Sequence, residues 1–399
     1  RAFSAAPTCS PSHAALLTGQ SPHAAGMLGL AHRGFSLRDT RQHLASVLQV
    51  NEYATALVGM QHVTHDDPAD LGYDTVAATD DSAVANVAPQ AAAYVTAFAA
   101  QSGSQPFFLD VGFSETHRPF HEAPMAAGRY VQPPPTILDA PETRHDMAEF
   151  HASVRELDRG IGIVLEALEQ AGLAESTLVI NTTDHGLAFP GMKSTLTDRG
   201  IGVSLIVRGP GGFTGGKVID AMVSQIDIFP TLCDTIGIPH PFWLHGKSML
   251  PLVRGERAAI RSEVFAEVTY HAAYEPLRAI RTDRWTYIRR FDGRTNPVLP
   301  NCDDSPTRDY LLANGWGERE IEAEVLYDNV LDPAQVCNVI ARPDLSRIRA
   351  DLRERVIRWM RETRDPLLKG KVPLPPGGVA NDPDGRSANE PPTVFGDAL

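Results

Sequence analysis

The chain has 399 residues, 43% hydrophobic and 21% charged, with 36 Lys and Arg against 49 Asp and Glu for a net charge of −13. That composition offsets the ordering entropy of folding and excludes global disorder, and the length suits two domains or one large α/β domain with an appendage. No stretch approaches the roughly 20 apolar residues of a membrane-spanning helix, and an acidic chain with no basic patch argues against a nucleic-acid partner. Four cysteines, Cys9, Cys233, Cys302 and Cys337, with no C-x-x-C pair, argue against a disulfide framework and a structural zinc site. Whether Cys302 and Cys337 pair is left open. The chain opens at Arg1 with no initiator Met and no signal-peptide pattern, so a preceding segment is expected.

In chain order, strands alternate with helices. Residues 14–18 read as the first turns of a helix behind a turn at 9–12. Leu44, Val47 and Leu48 stand at helical spacing within 40–50, and 55–59 is a short buried strand. The Ala-rich stretch 83–101, with Tyr94, Val95 and Phe98 on one face, predicts a helix; 106–113 predicts a core strand and 133–135 a loop. The clearest helix is 148–171, with Val154, Leu157, Ile161, Val164, Leu165 and Leu168 as its apolar stripe and Gly172 as its stop. Strands at 177–183 and 203–207 and a helix at 222–237 follow. Beyond residue 239, strands at 263–270, 277–281 and 284–291 lie close together before a charged helix at 345–364. The tail from 371 is rich in Pro, Gly, Asp and Asn.

The fold class this predicts is α/β: a mainly parallel sheet sandwiched between helices, with a smaller C-terminal antiparallel α+β subdomain. The expected divisions are a catalytic domain at 1–240, the subdomain at 241–370 and an irregular tail at 371–399. Chemistry in such sheets gathers at the carboxyl ends of the strands. Four polar clusters fall at such places: Cys9-Ser10-Pro11-Ser12-His13, Gly59-Met60-Gln61-His62, Glu115-Thr116-His117-Arg118 and Asp184-His185-Gly186 with Lys193 beyond it. Each alone has a bland reading, a structural Cys or a loop His. Together they bring Cys, His, Asp and Lys to one edge of one sheet.

The run Cys-Ser-Pro-Ser-His-Ala-Ala-Leu-Leu-Thr-Gly at 9–19 resembles the signature of the sulfatase family, Cys-x-Pro-Ser-Arg followed by Leu-Thr-Gly. The segments 55–62, 184–210, 226–239, 244–256 and 278–288 resemble later landmarks of the family in order and spacing, and the look of the chain is nearest the sulfamidase (heparan N-sulfatase) branch. The resemblance implies a sulfuric ester or sulfamate hydrolase, possible substrates being sulfated sugars. In such enzymes Cys9 is oxidised to formylglycine by a formylglycine-generating enzyme, and a divalent metal, calcium by preference, assists. It implies Cys9 as nucleophile and metal neighbour, Asp184 and His185 as metal ligands, His62 as a base beside the formylglycine, His117 as the acid facing the leaving group, and Lys193 as a sulfate-binding cation. His13, His62, His117 and Lys193 would contact substrate.

Three departures stand against the family pattern. His13 replaces an Arg whose fixed fork of donors supports the nucleophile. Met60 replaces a sulfate-binding Lys. The family's first Asp pair lies on a strand before the signature, and residues 1–8 hold no such strand. Alternative readings are therefore a phosphate or phosphonate monoester hydrolase on the same scaffold, and a catalytically impaired relative that only binds sulfated glycans or a partner. Export from the cytoplasm is expected, because sulfated glycans lie mostly outside it. Asn181-Thr182-Thr183 matches a glycosylation sequon but falls in a core strand. The His65-Asp66-Asp67 run reads as a polar loop, Trp243 and Trp285 as packing residues, and the Arg-rich 342–364 as a solvated helix.

Overall fold

Adjacent residues of a parallel strand face opposite sides of the sheet, so a strand covered on both faces needs an unbroken apolar run. Thr-Ala-Leu-Val at 55–58 is such a run, and in the computed structural model, which describes residues 1–77, 81–101 and 105–392, it is the centre of the first sheet. The short strand β1 (Ala2–Phe3) leads into helix α1 (Cys9–Thr18) and the single turn α2 (Pro22–Ala25). Helix α3 (Leu44–Val50), strands β2 (Ala54–Gly59) and β3 (Thr75–Ala77), helix α4 (Val84–Ala99), strand β4 (Phe107–Gly112), the long helix α5 (Pro141–Gln170) and strand β5 (Val179–Thr182) follow. Then come α6 (Asp198–Ile201), β6 (Gly202–Val203), β7 (Leu205–Arg208), β8 (Val223–Ser224), α7 (Ile228–Ile236) and α8 (Leu250–Val253).

Strand β2 lies between β3 and β4, parallel to both, with Ala56 opposite Thr75 on one side and Leu109 on the other. Leu57 packs among Leu17, Leu44, Leu48 and Phe229 of α1, α3 and α7. Val58, one residue on, packs with Val87 and Ala91 of α4 and Val164 of α5. This is the sandwich the sequence predicts. Strand β5 pairs antiparallel with β7, and β1 lies between β6 (antiparallel) and β8 (parallel). Between the facing edges of β4 and β5 lies a cavity of about 1460 Å³, walled by the apolar stripe of α5 on one side and by Leu16, Ile228 and Leu232 on the other. The carboxyl ends of β2, β4 and β5 all open at one end of it.

The C-terminal part is a four-stranded antiparallel sheet in the order β12-β11-β10-β9, built from β9 (Glu263–Tyr270), β10 (Tyr274–Thr282), β11 (Trp285–Arg290) and β12 (Glu324–Asp328). Helix α9 (Pro306–Ala313) sits between β11 and β12, and α10 (Ser346–Glu362) buries Leu352, Val356 and Met360 against the sheet. The two parts are tied by a fully buried network. Glu267 of β9 accepts from the His23 ring at 2.8 Å, while the Arg278 guanidinium reaches Glu267 at 3.1 Å and Asp365 at 2.5 Å. Arg278 fills the space among these carboxylates, so the cluster reads as an internal tie.

Three local expectations are corrected. Residues 9–12 are the first turn of α1 and not a turn before it, because Pro11 lies where a missing N–H costs nothing. Helix α5 begins at Pro141, seven residues before the predicted start at 148, for the same reason. Strand β12 and helix α9 lie in 301–330, where charged and Gly residues hide any periodicity. Over its described residues the tail is docked: Val372, Ala380 and Asn381 are buried, and the Asn381 N–H donates to the Ala272 carbonyl at 2.8 Å. Residues 393–399 of that predicted tail lie outside the described residues. All four cysteines are free, so Cys302 and Cys337 do not pair.

One buried histidine sets a pH dependence for the fold. His43 caps α3, its Nδ1 accepting the Ala45 N–H at 3.2 Å, and burial pushes its pKa down to about 3. Protonation would remove the acceptor. Between pH 6.5 and 3 the unfolded chain binds this proton and the folded chain does not, so the stability is full above 6.5 and declines on acidification. His271, also buried and pushed to about 3, adds in the same direction. We expect a loss of roughly 1.4 kcal/mol per histidine for each pH unit below 6.5, read as a falling urea midpoint. His43→Asn, which keeps a capping acceptor, should remove its share of that slope.

Candidate active site

Helix α1 starts at Cys9 with no side-chain cap; Thr8 precedes it in extended conformation, its hydroxyl buried without a partner. The free N–H groups of this turn and the positive end of the helix dipole favour negative charge beside the Cys9 side chain. Strand β5 delivers Asp184 and His185. The Ser12 hydroxyl donates to the Asp184 carbonyl at 2.5 Å, and Gln225 donates to the Thr183 carbonyl at 2.7 Å, which fixes the strand end against α1. Gly186 then turns the chain: a β-carbon there would sit 1.7 Å from the Arg199 carbonyl oxygen.

The His185 Nδ1 faces the Gly186 carbonyl at 2.8 Å, and a carbonyl can only accept. Nδ1 therefore carries the proton and Nε2 faces inward, 3.3 Å from Cys9 Sγ and 3.3 Å from Asp184 Oδ2. His13 Nε2 approaches the same Asp184 oxygen at 3.7 Å, and its ring lies 5.9 Å from that of His62. Cys9, His13, His62, His117, Asp184 and His185 all line the end of the large cavity, as does Met60. Lys193 is not part of the lining; it is buried beside these residues, close enough for its charge to act on both Cys9 and Asp184.

Backbone strain marks the same places. Among the described residues, six non-glycine residues have φ in the left-handed region; His62 is one, Thr116 precedes His117 and Ser194 follows Lys193. Such conformations cost about 1–3 kcal/mol each and persist where surrounding structure enforces them, commonly at functional sites.

The electrostatics are those of an anion site. Burial opposes ionisation of Cys9, yet Lys193 and His185 more than offset it and hold the thiol well below its usual range. Against burial, Asp184 and Cys9 hold the His185 imidazolium up to about 9, and contact with Cys9 raises His62. Asp184 itself, half-buried, is pulled down to about 2 by His185, His13 and Lys193. One carboxylate thus faces several cationic groups.

The sequence reading missed the partner of Lys193. Asp303 accepts from its ammonium at 2.9 and 3.3 Å, and Lys193 in turn is the main influence that draws the half-buried Asp303 carboxyl down to about 2. Asp303 stands 110 residues away in an Asp-Asp-Ser-Pro turn with nothing to distinguish it from other loop acids. Asp303→Asn should leave Lys193 half-paired and cost about 3 kcal/mol of stability. Thermal denaturation of the variant beside the wild-type chain checks it; an unchanged midpoint would refute the pairing.

The chemistry of the donors limits what ion fits. Cys9, Asp184 and His185 each present a ligand atom within 4.8 Å of the others, giving one sulfur, one oxygen and one nitrogen. Calcium takes six to eight oxygens. The set fits one face of a divalent ion, better once the Cys9 sulfur is replaced by oxygen, and does not complete a calcium shell.

The family model for sulfatases matches residues 1–238, more than half of the chain. The chain belongs to the sulfatase family. Members of this family are hydrolases that use a formylglycine and a divalent metal. A second model, N-sulphoglucosamine sulphohydrolase, C-terminal, matches residues 191–307 of this sulfatase. Human N-sulphoglucosamine sulphohydrolase is 28% identical across 92% of the chain and 83% of its own length. Among solved structures, a 2-O GAG sulfatase superposes with a TM-score of 0.68 at 20% identity, covering 98% of this chain and 90% of that one. A protein in complex with its substrate D-glucosamine-2-N,6-O-disulfate superposes with a TM-score of 0.69 at 15% identity, over 93% and 91% of the two chains. The fold is therefore the sulfatase α/β fold with a C-terminal antiparallel sheet.

Proposed function

We propose that this sulfatase cleaves a sulfate ester or sulfamate from a saccharide, with N-sulfated glucosamine as its preferred group, and that residues 1–240 carry the chemistry while 241–370 brace it from behind. The observation that carries the reading is Cys9 at a helix N-terminus with His185, His62, Asp184 and Lys193 around it. The human relative and the N-sulphoglucosamine sulphohydrolase model support the choice of substrate.

In this reading Cys9 would be matured by a formylglycine-generating enzyme, and residue 9 would then offer one hydroxyl for attack on sulfur and a second whose deprotonation would release sulfate. The divalent ion, calcium in our proposal, would be held on one face by Asp184 and His185 and would draw charge from the sulfate oxygens. Lys193, oriented by Asp303, attracts the sulfate oxygens, and His13 lies against Asp184 at the substrate side. His62, beside the Cys9 side chain, takes a proton during expulsion. His117, exposed at the cavity mouth, gives one to the leaving oxygen or nitrogen.

Sulfate release from N-sulfated glucosamine, 4-nitrophenyl sulfate and 4-nitrophenyl phosphate tests the reading. We expect the sulfated sugar to be turned over with the highest kcat/KM and the phosphate with the lowest. Protein with converted Cys9 and no sulfate release would overturn it. Met60 on the cavity wall, where a cation would bind sulfate, favours a second reading, a glycan-binding relative without turnover. Tight binding of sulfated glycan by protein that releases no sulfate would decide for that.

A further inference from the structure

His117 is exposed, yet Asp146 and Thr307 behind it are fully buried, with Arg118 half-buried in between. Its Nδ1 lies 2.7 Å from the carbonyl of Arg118. Because that oxygen can only accept, Nδ1 holds the proton and Nε2 is the nitrogen left for substrate. The Arg118 side chain in turn is fixed on every side. Its two terminal nitrogens fork onto Asp146 of α5 at 2.7 Å each, and its Nε donates to the Ala188 carbonyl at 2.9 Å, in the loop just past Asp184 and His185. The guanidinium also lies over the rings of Phe120, at 4.2 Å, and Phe189, at 4.9 Å. Asp146 is completely buried and accepts a further bond, at 2.5 Å, from the hydroxyl of the equally buried Thr307 in the first turn of α9.

A buried, bidentate charge pair is costly to assemble and adds little net stability over an apolar pair of the same size. What it adds is geometry, since the planar fork fixes direction. Here the direction fixed is that of the backbone carbonyl that holds His117. The same short segment also supplies Asp303, the partner of Lys193. The C-terminal part thus reaches two candidate site groups without touching the cavity.

We propose that Thr307, Asp146 and Arg118 form a positioning relay that holds the His117 ring with Nε2 toward the leaving group. The proposal rests on the assignment of His117 as proton donor made above. None of the three touches substrate; each acts through His117. A proton donor matters most when the leaving group is a poor one. A sugar alcohol or amine needs the proton; 4-nitrophenolate leaves without it. Loosening the relay therefore lowers kcat on saccharide sulfates and spares 4-nitrophenyl sulfate.

Thr307→Val removes the last bond of the relay without unpairing a charge, and Arg118→Lys keeps the charge but breaks the fork. We expect about a 10-fold fall in kcat on the saccharide sulfate for Thr307→Val and a larger one for Arg118→Lys, with KM and 4-nitrophenyl sulfate turnover nearly unchanged. Thr307→Ser should restore the wild-type pattern. His117→Ala is the reference: if it shows no dependence on leaving group, the assignment of His117 fails and the relay fails with it. If His117→Ala shows the dependence and the relay variants slow both substrates equally, the relay alone is overturned. An independent readout needs no turnover. The 15N spectrum of the His117 ring should show the Nδ1-protonated tautomer in the wild-type chain and a tautomer mixture in Thr307→Val; identical spectra would refute the relay.

Discussion

Cys9→Ala is expected to abolish sulfate release, by about 10⁴-fold or more, because no neighbouring group can replace the nucleophile. The side chain is buried at the first turn of α1 and has Lys193 and His185 beside it, so the loss is of a group and not of a packing contact. Folding should survive, since alanine is a better helix former and leaves only a small void. Cys9→Ser separates the two halves of the chemistry. A serine hydroxyl can attack sulfur and form a sulfate ester, but it has no second hydroxyl to expel sulfate. The expected result is one turnover followed by arrest, with a peptide around residue 9 heavier by one sulfo group. In the wild-type protein from its own host, the same peptide should carry an aldehyde in place of the thiol. An unmodified thiol there, or full activity in Cys9→Ala, would end the proposal.

How much of this was legible in the sequence depends on how local each signal was. Strand β2 and helix α5 were readable because their apolar residues follow a single period over a whole element. The signature around Cys9 was readable because a helix N-terminus fixes a short run of residue types. Asp303 and Thr307 were not, because their meaning lies in partners 110 and 161 residues away in the chain. Met60 and His13 were recognised as departures, and both line the cavity end with the other candidates. In the sequence Arg118 is only the residue after His117; in the structure its carbonyl faces the His117 ring and its side chain is forked onto Asp146. A pattern of residue types can nominate the groups that touch substrate. It says little about what holds them, since a buried bond has no spacing of its own.

Asp184→Asn is the second large loss we expect, and it tests the ion more directly than any other change. Asp184 is the carboxylate on which His185 and His13 converge, and Lys193 acts on it as well. An amide keeps the shape and one acceptor but carries no charge. It would hold a divalent cation weakly and leave the neighbouring cations without their counter-charge. Loss of one charged contact in a shielded site costs about 3 kcal/mol of transition-state stabilisation, so kcat/KM on the saccharide sulfate should fall about 100-fold. The matching measurement is ion dependence. After chelation, calcium, magnesium and manganese are added back in turn, and the concentration restoring half of the activity is read for both proteins. Calcium should restore the wild-type protein at the lowest concentration, and Asp184→Asn should need at least about ten times more, since the site has lost its one hard, anionic oxygen donor. Asp184→Glu, with the charge kept but moved outward, should fall between them. If the wild-type protein works equally well after chelation, or if Asp184→Asn leaves the ion response unchanged, then this carboxylate serves only to balance charge around Cys9 and the ion has no place on this face of the site.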